Sequence, residues 1–383
     1  MTAPVSPWSA EQVARVALGR LGEPGDPRLA RLVDDLGAEQ VYAYLREERD
    51  VAGLAADVAA RLHGLDPRGD LEWARRRGFR FVCPGDDEWP AQLRDLDRSE
   101  ALNGRGGAPL GLWLRGAGRL DELSQQSVAV VGARSATTYG ASVAGEIAAH
   151  LAGESATVVS GAAFGIDQAA HRGALAVRGP TVAVLACGVD RAYPAAHRDL
   201  LAYRADSGLV VSESPPGCAP TRLRFLSRNR LIAALSLGTV VVEAAVRSGA
   251  LNTANWASVL NRTVMGVPGP VTSASSEGVH ELIRNRDATL VSRGEHVLEL
   301  VSPSGSFTLP PARAPEGPRD RLSALDRQVL DAVPVASPAA SESVARTAGV
   351  AERTTRDALR RLQHAGFVEA SPRGWRLAPA SGQ

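Results

Sequence analysis

Seven short apolar runs, most of them rich in valine, divide the middle of the chain. In order they read SVAVVG, ATVVSG, TVAVLA, GLVVSE, GTVVVEA, TVMGVPG and ATLV, and they start at Ser127. Segments with apolar residues at helical spacing lie between them. A strand that is apolar on both faces is buried on both faces, as happens when helices cover a parallel sheet. The pattern therefore predicts an α/β fold built on a doubly wound parallel sheet.

The flanking segments predict further domains. Residues 1–63 hold amphipathic stretches separated by Gly or Pro, which predicts a small helical domain of SAM-like or helix-hairpin-helix-like type. The sheet domain is predicted over residues 64–301, where FRFVCP and LGLWLRG are additional strand candidates. Residues 302–321 contain five prolines and no periodicity, which predicts a flexible linker. Residues 322–383 read as three helices, a strand, a turn and a strand, the order of a winged helix.

The charge balance limits how a charged partner could be recognised. The formal net charge is +1, so a nucleic-acid or membrane partner would have to be met by a local patch. All 43 basic residues apart from histidine are arginine, whose planar, fixed charge suits phosphates and stacking. Three scattered cysteines, Cys83, Cys187 and Cys218, form no CxxC pair, which predicts a reduced, cytoplasmic protein without a metal site. We find no signal-peptide pattern and no apolar stretch near the ~20 residues that span a bilayer.

Ligands of a doubly wound sheet bind at the carboxyl ends of the strands, so the loop after each strand holds the candidate residues. The first such loop is GARSATTYG, in which Arg134 follows a turn at Gly132. A helix N-terminus comes next and offers free N–H groups to an anion. A solvated Arg134 is the alternative, and we favour the anion site.

The second loop, SGAAFGIDQAAH, is also a phosphate-site candidate. Gly161 and Gly165 let backbone amides approach a phosphate, and Asp167 is expected to cap the next helix. Neither this loop nor the first matches GxGxxG, which argues against a nicotinamide dehydrogenase.

The third loop, CGVDRAYPAAH, brings polar residues to the same edge of the sheet. They are Asp190, Tyr193 and His197. No acid or nucleophile accompanies His197 in the sequence, so we expect a structural or solvated histidine there.

The fourth loop leads into the strongest candidate, RLRFLSRNRLIAALS. Four arginines, Arg222, Arg224, Arg228 and Arg230, surround Phe225. Ser227 or Asn229 is expected to cap the helix that follows. Cations are unfavourable at a helix N-terminus unless a polyanion binds there as well. Basic groups that track a backbone, beside an aromatic ring that stacks on a base, are typical of proteins that bind single-stranded nucleic acid.

Two alternatives concern nearby residues. Salt bridges to Glu213 or Glu243 would account for one of the arginines, and Arg230 is the best candidate. After the fifth strand, Ser248 and Gly249 open another helix, where Ser248 could bind a phosphate or cap the helix; we weigh these two roles equally.

Several of these segments, taken in order, resemble one known family. The runs VAVVGARSATTYG, SGAAFGID, CGVDRAYP, LSRNRLIAALS, VVVEAAVRSGALNTA, VPGPV and SEGVHELI closely resemble the DprA/Smf family, DNA-processing protein A, over roughly residues 75–300. The resemblance implies an extended Rossmann-like domain that binds single-stranded DNA, forms a homodimer and loads the RecA recombinase during DNA uptake or general recombination. It carries no established catalytic activity, and we expect no cofactor.

The family's site residues transfer to this chain one by one. Its Gly-Ser/Thr-Arg motif falls on Gly132, Ala133 and Arg134, its basic residue on or near Arg222, its Phe on Phe225, and its Arg-Asn-Arg on Arg228, Asn229 and Arg230. Ala133 replaces the hydroxyl residue and removes one possible phosphate hydrogen bond. Leu226 stands where the family usually has Pro, so the local turn and the pose of Phe225 can differ.

An enzyme is the competing hypothesis for this domain. Gly238, Thr239 and Glu243 resemble the phosphate loop and acid of nucleotide-processing proteins similar to phosphoribohydrolases, in which Glu243 would help to cleave an N-glycosidic bond. The longer PGGxGT run of those enzymes is absent.

The predicted winged helix carries its own basic residues. They are Arg353, Arg356, Arg360 and Arg361 on its third helix, and Arg373 and Arg376 on the wing. These residues could read duplex DNA, but Glu352, Asp357 and Glu369 dilute the charge. We weigh duplex DNA and a protein partner equally, and we expect no membrane partner.

Overall fold

The computed structural model describes residues 8–47, 49, 53, 58, 61–197, 208–303, 307 and 317–379. The chain divides into two compact units, residues 1–309 and residues 310–383. Most of the predicted linker, 304–306 and 308–316, lies outside the described residues, as does much of 48–60 in the predicted helical domain. Within the described residues, no helix is both long enough and apolar enough to cross a bilayer, and no cluster of His, Cys, Asp or Glu could hold a metal ion.

The elements of the first unit alternate as the sequence predicts. Its helices are α1 Ala10–Leu21, α2 Pro27–Leu36, α3 Ala38–Arg46, α4 Pro67–Arg76, α5 Leu120–Gln125, α6 Thr138–Gly153, α7 Ile166–Ala176, α8 Arg222–Ala234, α9 Gly249–Val259, α10 Glu277–Arg284 and α11 Gly294–Val301. Its strands are β1 Phe79–Val82, β2 Leu112–Arg115, β3 Ser127–Val131, β4 Thr157–Ser160, β5 Thr181–Leu185, β6 Leu209–Ser212, β7 Gly238–Val241, β8 Thr263–Gly266 and β9 Thr289–Leu290. Short 3-10 helices cover Ala91–Leu96 and Ala195–His197.

One large sheet forms the centre of this unit. Its strand order, within the described residues, is β1-β2-β6-β5-β4-β3-β7-β8-β9. The strands from β3 to β9 are mutually parallel, which confirms the predicted doubly wound sheet. β2 pairs antiparallel with β6, and β1 pairs antiparallel with β2, so the two additional strand candidates extend one edge. Such an antiparallel edge on a parallel sheet is common in large doubly wound folds.

The winding of the sheet creates a crevice at its middle. From β3 the chain proceeds to β4, β5 and β6 on one side, and then returns to place β7 on the other side of β3. Helices that follow β3 and β7 therefore leave to opposite faces. The carboxyl ends of β3 and β7 form the switch point where ligands of doubly wound sheets bind.

The N-terminal helices pack on the sheet near its antiparallel edge. Val16 on α1 and Leu71 on α4 share a buried cluster with Phe81, Trp113 and Leu185 of the strands. A second cluster on α1, α2 and α3, which includes Leu18 and Val41, holds those helices together. Burial of each such side chain contributes roughly 1.5–3 kcal/mol. These helices therefore pack firmly against the sheet.

The second unit has its own core. Its elements are a 3-10 helix Pro318–Arg321, the helices α12 Ala324–Asp331, α13 Ser341–Ala348 and α14 Glu352–His364, and the antiparallel hairpin β10 Val368–Ser371 with β11 Gly374–Leu377. Val329, Val344, Leu359 and Val368 meet in its apolar cluster. One residue from each helix and one from the hairpin thus share a single core.

Candidate nucleic-acid interface

The arginine cluster lies on one helix, α8, from its first residue. Thr221 is the N-cap, and its hydroxyl accepts a hydrogen bond from the backbone N–H of Arg224 at 3.2 Å. The expected cap at Ser227 or Asn229 is therefore wrong, because both residues lie inside the helix. Leu226 also lies within α8, so no turn follows Phe225 at the position where the family usually has Pro.

Arg230 is a buried structural residue. Its side chain is 0% exposed, and its Nη2 donates to both carboxylate oxygens of Glu213 at 2.6 and 2.8 Å. A guanidinium removed from water in this way needs such a partner. The assignment of Arg230 to the DNA-binding surface is corrected here: its side chain cannot reach a ligand, and the salt-bridge alternative describes it.

Arg224 is also engaged by an acid. Its Nε and Nη2 donate to the two carboxylate oxygens of Glu23 at 2.9 and 3.0 Å, and its Nη1 donates to the carbonyl of Ala219 at 2.6 Å. Bidentate arginine–carboxylate pairs are the stronger kind of ion pair. Arg224 therefore faces the loop between α1 and α2, and its predicted phosphate contact is wrong in this structure because Glu23 already holds the guanidinium.

Phe225 and Arg134 meet at the centre of the crevice. The guanidinium carbon of Arg134 lies 4.5 Å from the centre of the Phe225 ring, and that of Arg228 lies 5.8 Å away. The Tyr193 ring is 5.8 Å from the Phe225 ring at an interplanar angle of 55°. Phe225 is half-buried, whereas Arg134 is exposed. The first loop and α8 thus meet at a cation–π contact between Arg134 and Phe225, which are 91 positions apart in sequence.

Arg228 lies beneath this contact. Its side chain is buried, with the residue only 7% exposed, and its Nη1 donates to the carbonyl of Val184 at 3.3 Å. Within the described residues its Nε has no hydrogen-bond partner. Burial lowers the pKa of the Arg228 guanidinium, while the negative charge of Asp167 opposes that shift. Gly161 makes room for it, because a Cβ there would lie 1.2 Å from Nη1.

The backbone amides of the Gly161 loop are already used. The N–H groups of Gly161 and Ala163 donate to Oδ2 of Asp167 at 3.2 and 3.3 Å. Asp167 is fully enclosed, and this burial raises the pKa of its carboxyl group. The prediction that these amides contact a phosphate is wrong in this structure, because the Asp167 carboxylate already accepts their hydrogen bonds. Asp167 also does not cap α7, whose N-cap is Gly165 in a left-handed conformation with φ of 77°.

Other predicted residues join the crevice as structural parts. Ser248 caps α9, and its hydroxyl accepts from the N–H of Ala250 at 3.3 Å, so its capping role is the one observed. Asn229 donates to the carbonyl of Gly249 and to Oδ1 of Asn252, at 3.3 and 3.2 Å, and so ties α8 to α9. Gly132 is held against Ile166 and the backbone carbonyl of Glu243, where a Cβ would meet atoms at 2.6 and 2.8 Å.

Glu243 connects three loops of the crevice. It is 2% exposed and accepts from the N–H of Thr137 at 2.9 Å, from the Thr137 hydroxyl at 2.5 Å and from the Ser275 hydroxyl at 3.3 Å. Both of its carboxylate oxygens are therefore occupied. His197 is likewise buried, with Nδ1 2.9 Å from the carbonyl of Ala162, as expected for a structural histidine.

These loops line an open crevice of about 1040 Å³. Its lining includes Arg134, Arg222, Phe225, Arg228, Asn229, Arg247 and Ser248. Arg134, Arg222 and Arg247 are exposed, and none of them forms an ion pair with an acid in the described parts of the chain. Arg247 was not predicted as a site residue. The strand-end rule would have found it, because it follows β7, which flanks the switch point.

The comparisons with known proteins agree with this geometry. Residues 80–302 match the model of the family described as DNA recombination-mediator protein A. A putative DNA processing protein DprA of Mycobacterium tuberculosis is 43% identical over 365 residues, 95% of this chain and 93% of that protein. The crystal structure of DNA processing protein A from Streptococcus pneumoniae aligns with a TM-score of 0.61 at 30% identity, over 79% of this chain and 99% of that one.

A second solved structure describes the single-stranded DNA binding mode of DNA processing protein A from Helicobacter pylori. It aligns with a TM-score of 0.50 at 26% identity, over 58% of this chain and 95% of that one. The family match spans all of the sheet except its first residue, Phe79, and every loop of the crevice. The chain belongs to the DNA recombination-mediator protein A family, the DprA/Smf proteins.

Proposed function

We propose that the crevice at the carboxyl ends of β3 and β7 binds single-stranded DNA. The observation that carries the proposal is the set of three exposed arginines, Arg134, Arg222 and Arg247, around one half-buried Phe225; among the described residues none of the three forms an ion pair with an acid. The arginines would neutralise phosphates, and the ring would support Arg134 and offer its remaining surface to a base. The binding mode named for the Helicobacter pylori relative supports the same class of ligand.

The proposed interface is smaller than the sequence implied. It keeps Arg134, Arg222 and Phe225, gains Arg247, and retains Arg228 as the buried charge behind the ring. Arg230 and Arg224 leave it, because Glu213 and Glu23 hold them. Binding should therefore depend on few phosphate contacts and be largely independent of base sequence.

A titration of a fluorescent single-stranded oligonucleotide tests this assignment. Arg134→Ala should weaken binding, while Arg94→Ala, which removes an exposed arginine outside the crevice, should leave it unchanged. A duplex of the same length should bind more weakly than the single strand. If wild type and Arg134→Ala bind the single strand with equal affinity, the crevice is not the DNA-binding site.

We further propose that the protein forms a homodimer and loads RecA onto the bound strand, in DNA uptake or general recombination. Family membership supports both the homodimer and the loading of RecA. Light scattering of the purified protein tests the dimer. The rate at which RecA assembles on single-stranded DNA, with and without the protein, tests the loading step.

The three free cysteines support a cytoplasmic location.

We propose that residues 322–383 form a winged helix that docks a protein partner. Four of its six predicted arginines are paired with acids inside the unit, namely Arg356 with Glu352, Arg360 with Asp357, Arg361 with Asp326 and Arg376 with Glu369. This internal pairing favours a protein partner over duplex DNA. The double variant Arg353→Ala, Arg373→Ala of the full chain should keep the duplex affinity of the wild type, and a large loss would favour DNA.

We assign no catalytic step to Glu243. Its carboxylate oxygens hold Thr137 and Ser275, which supports a structural role at the switch point. Incubation with nucleoside monophosphates tests this view. Turnover by the wild type that disappears in Glu243→Gln, with the fold retained, would restore the hydrolase hypothesis.

A further inference from the structure

Two exposed aromatic rings lie near Phe225, and no DNA contact has been assigned to either of them above. We propose that Tyr193 and Phe164 form a second stacking site, which takes a nucleobase of the bound strand beside Phe225. This inference rests on the proposed single-stranded DNA binding. It assigns the base contacts to a place different from the phosphate contacts of Arg134.

The exposure of these rings is unusual for their size. Tyr193 is 43% exposed and Phe164 is 45% exposed. Both line one cavity of about 50 Å³, together with Arg134 and Phe225. Large aromatic surface left in water at the rim of a cavity marks a binding site more often than scattered apolar residues do.

Phe164 is held in a fixed position. Its ring meets the His197 ring edge-on, with centroids 4.8 Å apart and an interplanar angle of 72°. His197 is 1% exposed and anchored to the carbonyl of Ala162. Left-handed residues on either side, Ala162 with φ of 55° and Gly165 with φ of 77°, shape the loop around it. A ring that is rigid before binding loses little conformational entropy when a base stacks on it.

Phe225 has less free ring surface than its two neighbours. The Arg134 guanidinium lies over the Phe225 ring at 4.5 Å and the Tyr193 ring lies 5.8 Å from it, so Phe225 is half-buried whereas Tyr193 and Phe164 are exposed. The exposed aromatic surface of the cavity therefore belongs to Tyr193 and Phe164. Phe225 acts chiefly as the support that keeps Arg134 in place.

The chemistry of the cavity selects a base over a phosphate. Its lining includes Leu185, Ala186 and Cys187, which are apolar and buried. Burial raises the pKa of the Cys187 thiol to about 11, so these three residues carry no negative charge at neutral pH. At about 50 Å³ the cavity is too small to enclose a nucleobase, so the base would stack on the exposed faces of Tyr193 and Phe164 at its mouth, where Arg134 places the adjoining phosphate.

The experiment uses the full chain and an oligothymidylate with a single 2-aminopurine, whose fluorescence falls when it stacks. Tyr193→Leu and Phe164→Leu should each weaken binding about tenfold and reduce the quenching. Tyr193→Phe keeps the ring and should behave as the wild type. A matched oligonucleotide with abasic sites should bind the wild type and both leucine variants equally, because it has no base to stack.

The outcomes separate this inference from the proposed function. Binding that is sensitive to Arg134→Ala but unchanged in both leucine variants would overturn the second stacking site and leave the interface intact. An equal loss on the abasic oligonucleotide would also overturn it, since the effect would then be structural. If the wild type does not bind single-stranded DNA, the proposed function itself fails. Thermal melting confirms that each variant is folded before it is compared.

Discussion

The guanidinium of Arg134 lies 4.5 Å above the ring of Phe225 and joins the loop after β3 to the first turn of α8. This contact holds a flexible cationic side chain over a rigid ring at the mouth of the crevice. The charge is thus positioned before any ligand arrives, which lowers the entropy cost of binding. The buried Arg228 lies 5.8 Å from the same ring and adds a second positive charge below it.

Loss of the ring should therefore weaken DNA binding by releasing Arg134. We expect Phe225→Ala to lower the affinity for a single-stranded oligonucleotide about tenfold. Tyr44→Ala, which removes a ring beneath Arg49 at 5.5 Å on a distant helix, is the matched control and should have no effect. Fluorescence anisotropy measures both, and an unchanged affinity of Phe225→Ala would contradict the role of the pair.

Arg247 should contribute one phosphate contact. Each cation that neutralises a phosphate releases counterions, so its removal lowers the salt dependence of the binding constant. We expect Arg247→Ala to reduce the slope of log K against log salt by about 1. Arg94→Ala should leave the slope unchanged. A reduced affinity at one salt concentration with an unaltered slope would speak against a phosphate contact.

Glu23 should restrain Arg224. The pair is partly exposed, with side-chain exposures of 34% for Glu23 and 16% for Arg224, so its net energy is modest. We expect Glu23→Gln to raise the affinity for single-stranded DNA about threefold, because Arg224 is then free to meet a phosphate. The same change in an Arg224→Ala background should have no effect. A gain that persists in that background would assign the effect to overall charge.

Gly161 should be indispensable for the position of Arg228. A methyl group there would lie 1.2 Å from Nη1 of Arg228, so the guanidinium would have to move. We expect Gly161→Ala to reduce the free energy of unfolding by about 1–3 kcal/mol. Gly153→Ala is the control, because a Cβ at Gly153 meets no atom within 4 Å. Urea denaturation measures both, and equal stabilities would contradict the packing described for Gly161.

Asp326 should make the second unit sensitive to acid. The hydrogen bond from Arg361 lowers the pKa of the Asp326 carboxyl below its ordinary value. A carboxyl with a lowered folded pKa stabilises the fold above its unfolded pKa, about 3.9, and this contribution is lost as the pH falls through the folded value. Asp326→Asn should therefore lower the stability of the second unit at pH 7. As the pH falls, the variant should lose less stability than the wild type, because it has no carboxyl group to protonate. Thermal melting between neutral pH and pH 3 tests it. A difference in melting temperature between wild type and Asp326→Asn that is the same at neutral pH and at pH 3 would contradict the prediction.

The sheet and the position of the crevice could be predicted from the sequence because they arise from local pattern. Each Val-rich run identifies a strand buried on both faces, and the loop after each strand follows from chain order alone. This reasoning identified Arg134, the Gly161 loop and the arginine cluster of α8 as neighbours. It also predicted the extra strands β1 and β2, although not their antiparallel pairing.

The tertiary structure decided which arginines remain free. Glu23 captures Arg224 and Glu213 captures Arg230, and the first of these pairs joins residues 201 positions apart. Glu213 could be suggested from the sequence as a partner of Arg230, but no local pattern indicated Glu23, because an ion pair depends on how separate elements pack. The same holds for Asp167, which fills an amide site that looked ready for phosphate, and for Arg247, which stays exposed. The sequence by itself determined the sheet and the loops that form the crevice, whereas long-range packing decided which charges a DNA strand can reach.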